Sequence, residues 1–67
     1  MEGKIVRLAL DKGYGFIAGS DGADYFFHRS ALGDDLMWHT LFEGIAVHFA
    51  PTRGEKGPRA EEIRRAR

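Results

Sequence analysis

Two short runs, Lys12-Gly13-Tyr14-Gly15-Phe16-Ile17 and Asp24-Tyr25-Phe26-Phe27-His28-Arg29, place rings at alternate positions. A side-chain period of two belongs to a β-strand, where residues i and i+2 share a face. Tyr14 and Phe16 therefore stand side by side on one strand, and Phe26 and His28 on a second. Between the runs, Gly19-Ser20-Asp21-Gly22-Ala23 is dense in turn formers and closes a hairpin. One sheet face then carries four rings, while Tyr25 and Phe27 point the other way. Rings beside lysine and arginine form a surface on which unpaired bases stack and phosphates meet cations.

The alternative is that Tyr14 and Phe16 are core residues, the usual fate of strand aromatics. Tyr25, Phe27, Ile45, Val47 and Phe49 already supply a core, however. A chain of 67 residues buries only about 60% of its unfolded surface. It has no room for eight buried aromatics, so the outward rings call for a ligand.

The rest of the chain reads as more of the same sheet. Lys4–Leu10 is a first strand, although Ile5 interrupts the alternation of Val6, Leu8 and Leu10. Tyr14–Ala18 is the second strand and Asp24–Arg29 the third. Gly15 lies between two rings, where glycine weakens a strand and makes sense only if another backbone or a ligand comes close. Ser30-Ala31-Leu32 makes a short helical turn with Ser30 as its cap. Met37, Leu41 and Phe42 pack under the following loop. Ile45–Ala50 is the fourth strand, ended by Pro51, with His48 facing solvent. Residues 52–58 form a basic loop. Arg59–Arg67 passes for a helix on propensity, and the three-residue spacing of Ala60 and Ile63 fits one. Short strands at close spacing favour a small barrel, which removes open edges.

Lysine and arginine together balance aspartate and glutamate, so the chain is no polycation, and one basic face is a matter of position. With no cysteine there is no disulfide and no thiolate metal site. His28, His39 and His48 are too far apart in sequence to form a local ligand pair. No metal or other cofactor is expected. No arrangement of serine, histidine and acid points to catalysis, so the protein is expected not to be an enzyme. No apolar run approaches a membrane span, and the N-terminus lacks the apolar stretch of a signal peptide. The expectation is one domain over residues 1–67, a cytoplasmic monomer.

These residues resemble the cold-shock domain family. Its first RNA-binding motif is similar to Lys12-Gly13-Tyr14-Gly15-Phe16-Ile17, with Tyr14 where Phe is more usual. Its second is similar to Tyr25-Phe26-Phe27-His28. Gly3-Lys4-Ile5, Glu43-Gly44-x-x-Val47-x-Phe49 and Lys56-Gly57-Pro58-Arg59-Ala60 also match in order and spacing. The resemblance implies an all-β, five-stranded antiparallel barrel of the oligonucleotide-binding (OB) fold. Arg59–Arg64 becomes its fifth strand against local propensity. The implied partner is single-stranded RNA or DNA, in an RNA-chaperone or gene-expression role. The two alternatives are a DNA-directed transcriptional regulator and a protein-interaction module on the same fold.

Carried over residue by residue, the resemblance assigns base stacking to Tyr14, Phe16, Phe26 and His28, and phosphate contact to Lys12. It places Lys56, Pro58 and Arg59 in a loop beside the bound strand. Trp38, which on its own reads as a loop anchor packed on the barrel, is implied to be a further stacking ring. The chain departs from the family where Arg7-Leu8 replace Trp-Phe and where Arg29 replaces Phe. Guanidinium groups there stack on bases and also meet phosphate. The resemblance also makes Ile5 core and Arg7 surface, although strict alternation puts both on one face. A bulge in the first strand reconciles them.

Overall fold

A computed structural model describes residues 1–55 and 57–66. Five strands follow the chain: β1 (Glu2–Ala9), β2 (Tyr14–Gly19), β3 (Asp24–His28), β4 (Ala46–Gly54) and β5 (Gly57–Arg65). They close into a barrel in the order β1-β2-β3-β5-β4, with β4 returning to β1. The ladders are antiparallel except at β3–β5, where Phe26 pairs in parallel with Arg59 and a further parallel bridge joins Leu32 to Ile63.

Two bulges set the geometry. Ile5 pairs with Ile17, but Arg7, not Val6, pairs with Phe16, so Val6 is an extra residue in β1. Ile5 is thereby fully buried, Arg7 turns to solvent, and Leu8 returns to the core. The second bulge lies in β5. His48 pairs with Arg64 and Ala50 with Glu61, so β5 spends one more residue than β4 over the same step. Glu62 sits there with φ 49, the left-handed region that side chains disfavour. The extra residue lets Ala60 and Ile63, three apart, both face inward, and both are fully buried. Their spacing thus marks a bulged strand and not the helix that propensity favours.

The core holds Ile5, Ile17, Tyr25, Phe27, Ile45, Val47, Phe49, Ala60 and Ile63. Gly15 faces this core. A Cβ there would lie 2.6 Å from the Arg7 carbonyl oxygen and 2.9 Å from the Phe27 ring, so the close partner is backbone and core and not a ligand.

Three local expectations are corrected. Pro51 does not end β4, which runs on to Gly54 with Pro51 opposite Ala60. The β1–β4 pairing covers only Ala46–His48, so Pro51 lies where β5 is the one ladder neighbour and a missing N–H costs no ladder bond on the open side. Arg29 leaves β3 and begins a 3-10 turn (Arg29–Ala31) whose cap is His28, not Ser30. In the loop, only Leu41 of the three apolar residues packs inward, while Met37 and Phe42 are 65% and 60% exposed. Leu36 and Trp38 flank an extended Met37 and share the inward side, and Leu41 follows Trp38 by one 3-10 turn (Trp38–Thr40).

Candidate nucleic-acid interface

The β1–β2–β3 registers sort the outer face into rows. One row runs Arg7, Phe16, Phe26, Arg59 across four strands, a guanidinium-bearing residue at each end of two rings. The next runs Ala9, Tyr14, His28. Beyond the first row on the other side lie Lys4, Ala18 and Asp24. Phe16, Phe26 and Tyr14 are half-buried and His28 is exposed.

The three rings brace one another. Phe16 and Phe26 meet edge to face with centroids 5.8 Å apart, Tyr14 lies 5.6 Å from Phe26, and Tyr14 and Phe16 are 6.3 Å apart. Such geometries add about 0.5–1.5 kcal/mol per pair beyond simple burial. The rings therefore hold an ordered platform without entering the core.

Arg59 is fixed by two contacts. Its guanidinium carbon is 5.6 Å from the Phe26 centroid, and its Nε donates to Glu61 Oε2 at 2.8 Å. The pair is half-exposed, so its net worth is small, but it limits where the guanidinium fork points. Arg29 and Lys12 are exposed at the end of the platform near Tyr14 and His28. The Arg29 N–H donates to the Gly13 carbonyl at 2.9 Å, and its aliphatic stem lies over Gly13, where a Cβ would come within 3.4 Å of Cδ. That distance is ordinary contact, and it is the φ of 80 at Gly13 that calls for glycine in this turn.

His28 is also held. The Ser30 backbone N–H donates to His28 Nδ1 at 3.1 Å, with Ser30 Oγ 2.9 Å from the same atom. An N–H only donates, so Nδ1 is the acceptor and the neutral ring carries its hydrogen on Nε2. This role of Ser30, together with that of Glu61 toward Arg59, is absent from the sequence reading. The one local signal is the His-x-Ser spacing, which suits a side chain capping the amide two residues on.

Beside the platform lies an open cleft of about 770 Å³, between Phe16, Phe26 and His28 on one side and Gly54, Glu55, Pro58 and Arg59 of the β4–β5 hairpin on the other. Pro58 and Arg59, expected in a loop, are instead the second and third residues of β5 and line this cleft. Lys56 lies outside the described residues. The cleft is lined by apolar ring surface with a few polar groups, which suits flat, edge-polar ligands.

Trp38 is a correction. It is 8% exposed, packs against Phe27 at 6.2 Å, and donates from Nε1 to the Leu10 carbonyl at 3.1 Å. It joins the core cluster and is not on the platform. An indole between apolar neighbours with its N–H satisfied is at its most stable there, and the loop's inward alternation delivers it. On the far side of the molecule, His48 faces solvent beside Glu2 at 3.1 Å. Among the described residues no three His, Asp or Glu side chains gather as a metal site, and no helix is long and apolar enough to cross a membrane.

Comparison with known proteins shows the family. The family model described as the 'Cold-shock' DNA-binding domain matches residues 1–66. Cold shock protein 2 of Lactiplantibacillus plantarum is 44% identical over 61 residues, 91% of either chain. The cold shock-like protein of Thermotoga maritima is 41% identical over 64 residues, 96% of either chain. Cold shock-like protein CspB of Escherichia coli is 44% identical over 64 residues, 94% of this chain and 89% of its own.

Proposed function

The chain belongs to the cold-shock domain family, and we propose that it binds single-stranded RNA or DNA on the outer face of β1, β2 and β3. The observation that carries this reading is the in-register row Arg7–Phe16–Phe26–Arg59, two accessible rings between two cations. Unpaired bases stack on Phe16, Phe26, Tyr14 and His28, each stack contributing about 1–3 kcal/mol. Arg7, Lys12, Arg29 and Arg59 meet the phosphates, and Lys56, next to Glu55 in sequence, is a further cation for them.

The action is stoichiometric. A duplex hides its base faces in its own stack, so a platform of this kind draws only on the open strand. By mass action it opens weak secondary structure without consuming a nucleotide. This is the work of an RNA chaperone or a regulator of gene expression, performed by a cytoplasmic monomer.

The test is fluorescence anisotropy of labelled oligothymidylate and oligouridylate, with a stable hairpin of the same length as control. Saturable binding of the open strands and weak binding of the hairpin are expected. Absence of binding to either open strand by folded protein overturns the reading and leaves the barrel as a protein-interaction module.

A further inference from the structure

The cleft beside the rings has an acid in its wall. Glu55 lines it together with Phe16, Phe26 and His28, and among its described lining residues Glu55 is the one carboxylate. Glu61, the other acid nearby, is occupied by Arg59 Nε. Glu55 has no hydrogen-bond or ion-pair partner among the described residues. A carboxylate in a phosphate-binding groove repels the backbone, so at this position its favourable partner is a base edge. An ionised carboxylate only accepts, and it accepts best from two adjacent N–H groups.

The opposite wall supplies the complementary group. Ser30 commits His28 Nδ1 as an acceptor, so the only N–H that the neutral ring has for a ligand is Nε2–H. The cleft therefore holds one donor and one bidentate acceptor beside a stacking surface. Guanine presents a carbonyl acceptor followed by two donors, N1–H and the N2 amino group. Thymine and uracil flank their single N–H with carbonyls, which turn lone pairs toward the carboxylate. Cytosine and adenine offer one amino donor next to an unprotonated ring nitrogen.

We propose that Glu55 makes this cleft select guanine over the other bases, accepting from N1–H and the N2 amino group while His28 Nε2–H donates to O6. This rests on the nucleic-acid reading above and names the base that the site prefers. It makes Glu55 a specificity determinant whose charge costs affinity for every strand and returns it only for one base.

The test compares three labelled nonamers: oligothymidylate, the same strand with guanine at its centre, and the same strand with inosine there. A single central substitution is enough, because the protein can slide until that base occupies the cleft. Inosine keeps the bicyclic stack and N1–H and lacks only the N2 amino group, so it separates hydrogen bonding from the better stacking of a purine. The guanine strand is expected to bind about tenfold tighter than the inosine strand, the order of one charge-assisted hydrogen bond. In Glu55→Ala the guanine-to-inosine ratio should fall to about one. Removing a negative charge also tightens binding to all three strands, but that gain cancels in the ratio. Equal binding of the guanine and inosine strands by the wild type, or an unchanged ratio in Glu55→Ala, overturns the inference while binding of the thymidylate keeps the nucleic-acid reading intact. Failure of all three strands to bind folded protein overturns both.

Discussion

Phe16 and Phe26 lie directly opposite each other across the β2–β3 ladder, their rings 5.8 Å apart and inclined at 73°. One residue along β3, Phe27 points the other way and is fully buried. Neighbouring phenylalanines thus belong to different parts of the molecule, one to a surface and one to the core. Truncation should separate them. Phe16→Ala and Phe26→Ala should each weaken binding of single strands by about 1–3 kcal/mol and keep the far-UV spectrum, with stability lowered by the two ring pairs each loses, about 1–3 kcal/mol. Phe27→Ala should instead cost about 3–5 kcal/mol of stability, enough to unfold much of a domain this small. A Phe16→Ala, Phe26→Ala double variant that unfolds in water would show that these rings are structural.

Trp38 gives a spectroscopic check on the placement of the loop. Its indole is packed on Phe27 and hydrogen-bonded to the Leu10 carbonyl, away from the platform. Its emission should be blue-shifted in the free protein and change little on saturation with an oligonucleotide. Trp38→Phe should lower stability by about 1–2 kcal/mol through lost packing and the lost Nε1 bond, while affinity stays within about twofold. Strong quenching of Trp38 by bound bases would put the indole on the binding face instead.

One local strain invites repair. Glu62 occupies the β5 bulge with φ 49 and its side chain exposed. Glycine adopts that conformation without steric cost, so Glu62→Gly should stabilise the barrel by up to about 1 kcal/mol despite the added freedom of the unfolded chain. Glu62→Val, stiff and branched at Cβ, should destabilise it. Thermal midpoints of the two variants should move in opposite directions from wild type.

Much of this arrangement is legible in the residues because local pattern and tertiary structure agree there. Alternation divides Tyr14 and Phe16 from Ile17, and Phe26 and His28 from Tyr25 and Phe27, and the barrel keeps that division. The conflict between Ile5 and Arg7 calls for a bulge, and Val6 is that bulge. What is not legible depends on neighbours distant in sequence. Pro51 looks like a strand end until it is known that β1 stops pairing with β4 at His48. Ala60 and Ile63 look helical until β4 provides the ladder against which a bulge is counted. The inward turn of Trp38 depends on a free carbonyl at Leu10, 28 residues away. Glu55 carries no motif at all, and only the folding of the hairpin beside the rings gives it a role.

The β2–β3 hairpin carries a pH-sensitive clasp. The Tyr25 hydroxyl donates to Asp21 Oδ2 at 2.6 Å, and the Ala23 N–H donates to Asp21 Oδ1 at 3.1 Å. These bonds, Tyr25 first, hold the Asp21 carboxyl below its ordinary value. The same shared proton, followed by desolvation and the Asp21 charge, pushes the Tyr25 phenol above its ordinary value. A depressed carboxyl contributes stability above its unfolded value that is lost as pH falls through the folded one. A raised phenol contributes stability below its unfolded value that is lost as pH rises through the folded one. Stability from the clasp should therefore be full at neutrality and decline at both extremes, below the usual carboxylate range and above about pH 10. In urea titrations across pH, Tyr25→Phe should be less stable than wild type at pH 7, and the gap should narrow at both ends. A gap that stays constant across pH would remove the clasp.

Part of the binding is expected to be electrostatic. Arg7, Lys12, Arg29 and Arg59 frame the rings, and each phosphate neutralised on a single strand contributes about −0.7 to the slope of log K against log salt. Engagement of all four gives a slope of about −3, even though the chain as a whole is neutral. The four should not contribute alike. Arg7 and Lys12 have no ion-pair partner among the described residues, so Arg7→Ala and Lys12→Ala should each flatten the slope by about 0.7. Arg59 already shares its charge with Glu61 at 2.8 Å, so Arg59→Ala should change the slope less. It should still lower affinity, because the guanidinium beside Phe26 also offers a plane to a stacked base. Glu61→Gln frees that charge and should steepen the slope toward that of an unpaired arginine. Anisotropy titrations at four or five salt concentrations measure each slope directly. A wild-type slope near zero would mean that the rings bind without the arginines, and the row from Arg7 to Arg59 would then be a pair of rings flanked by bystanders.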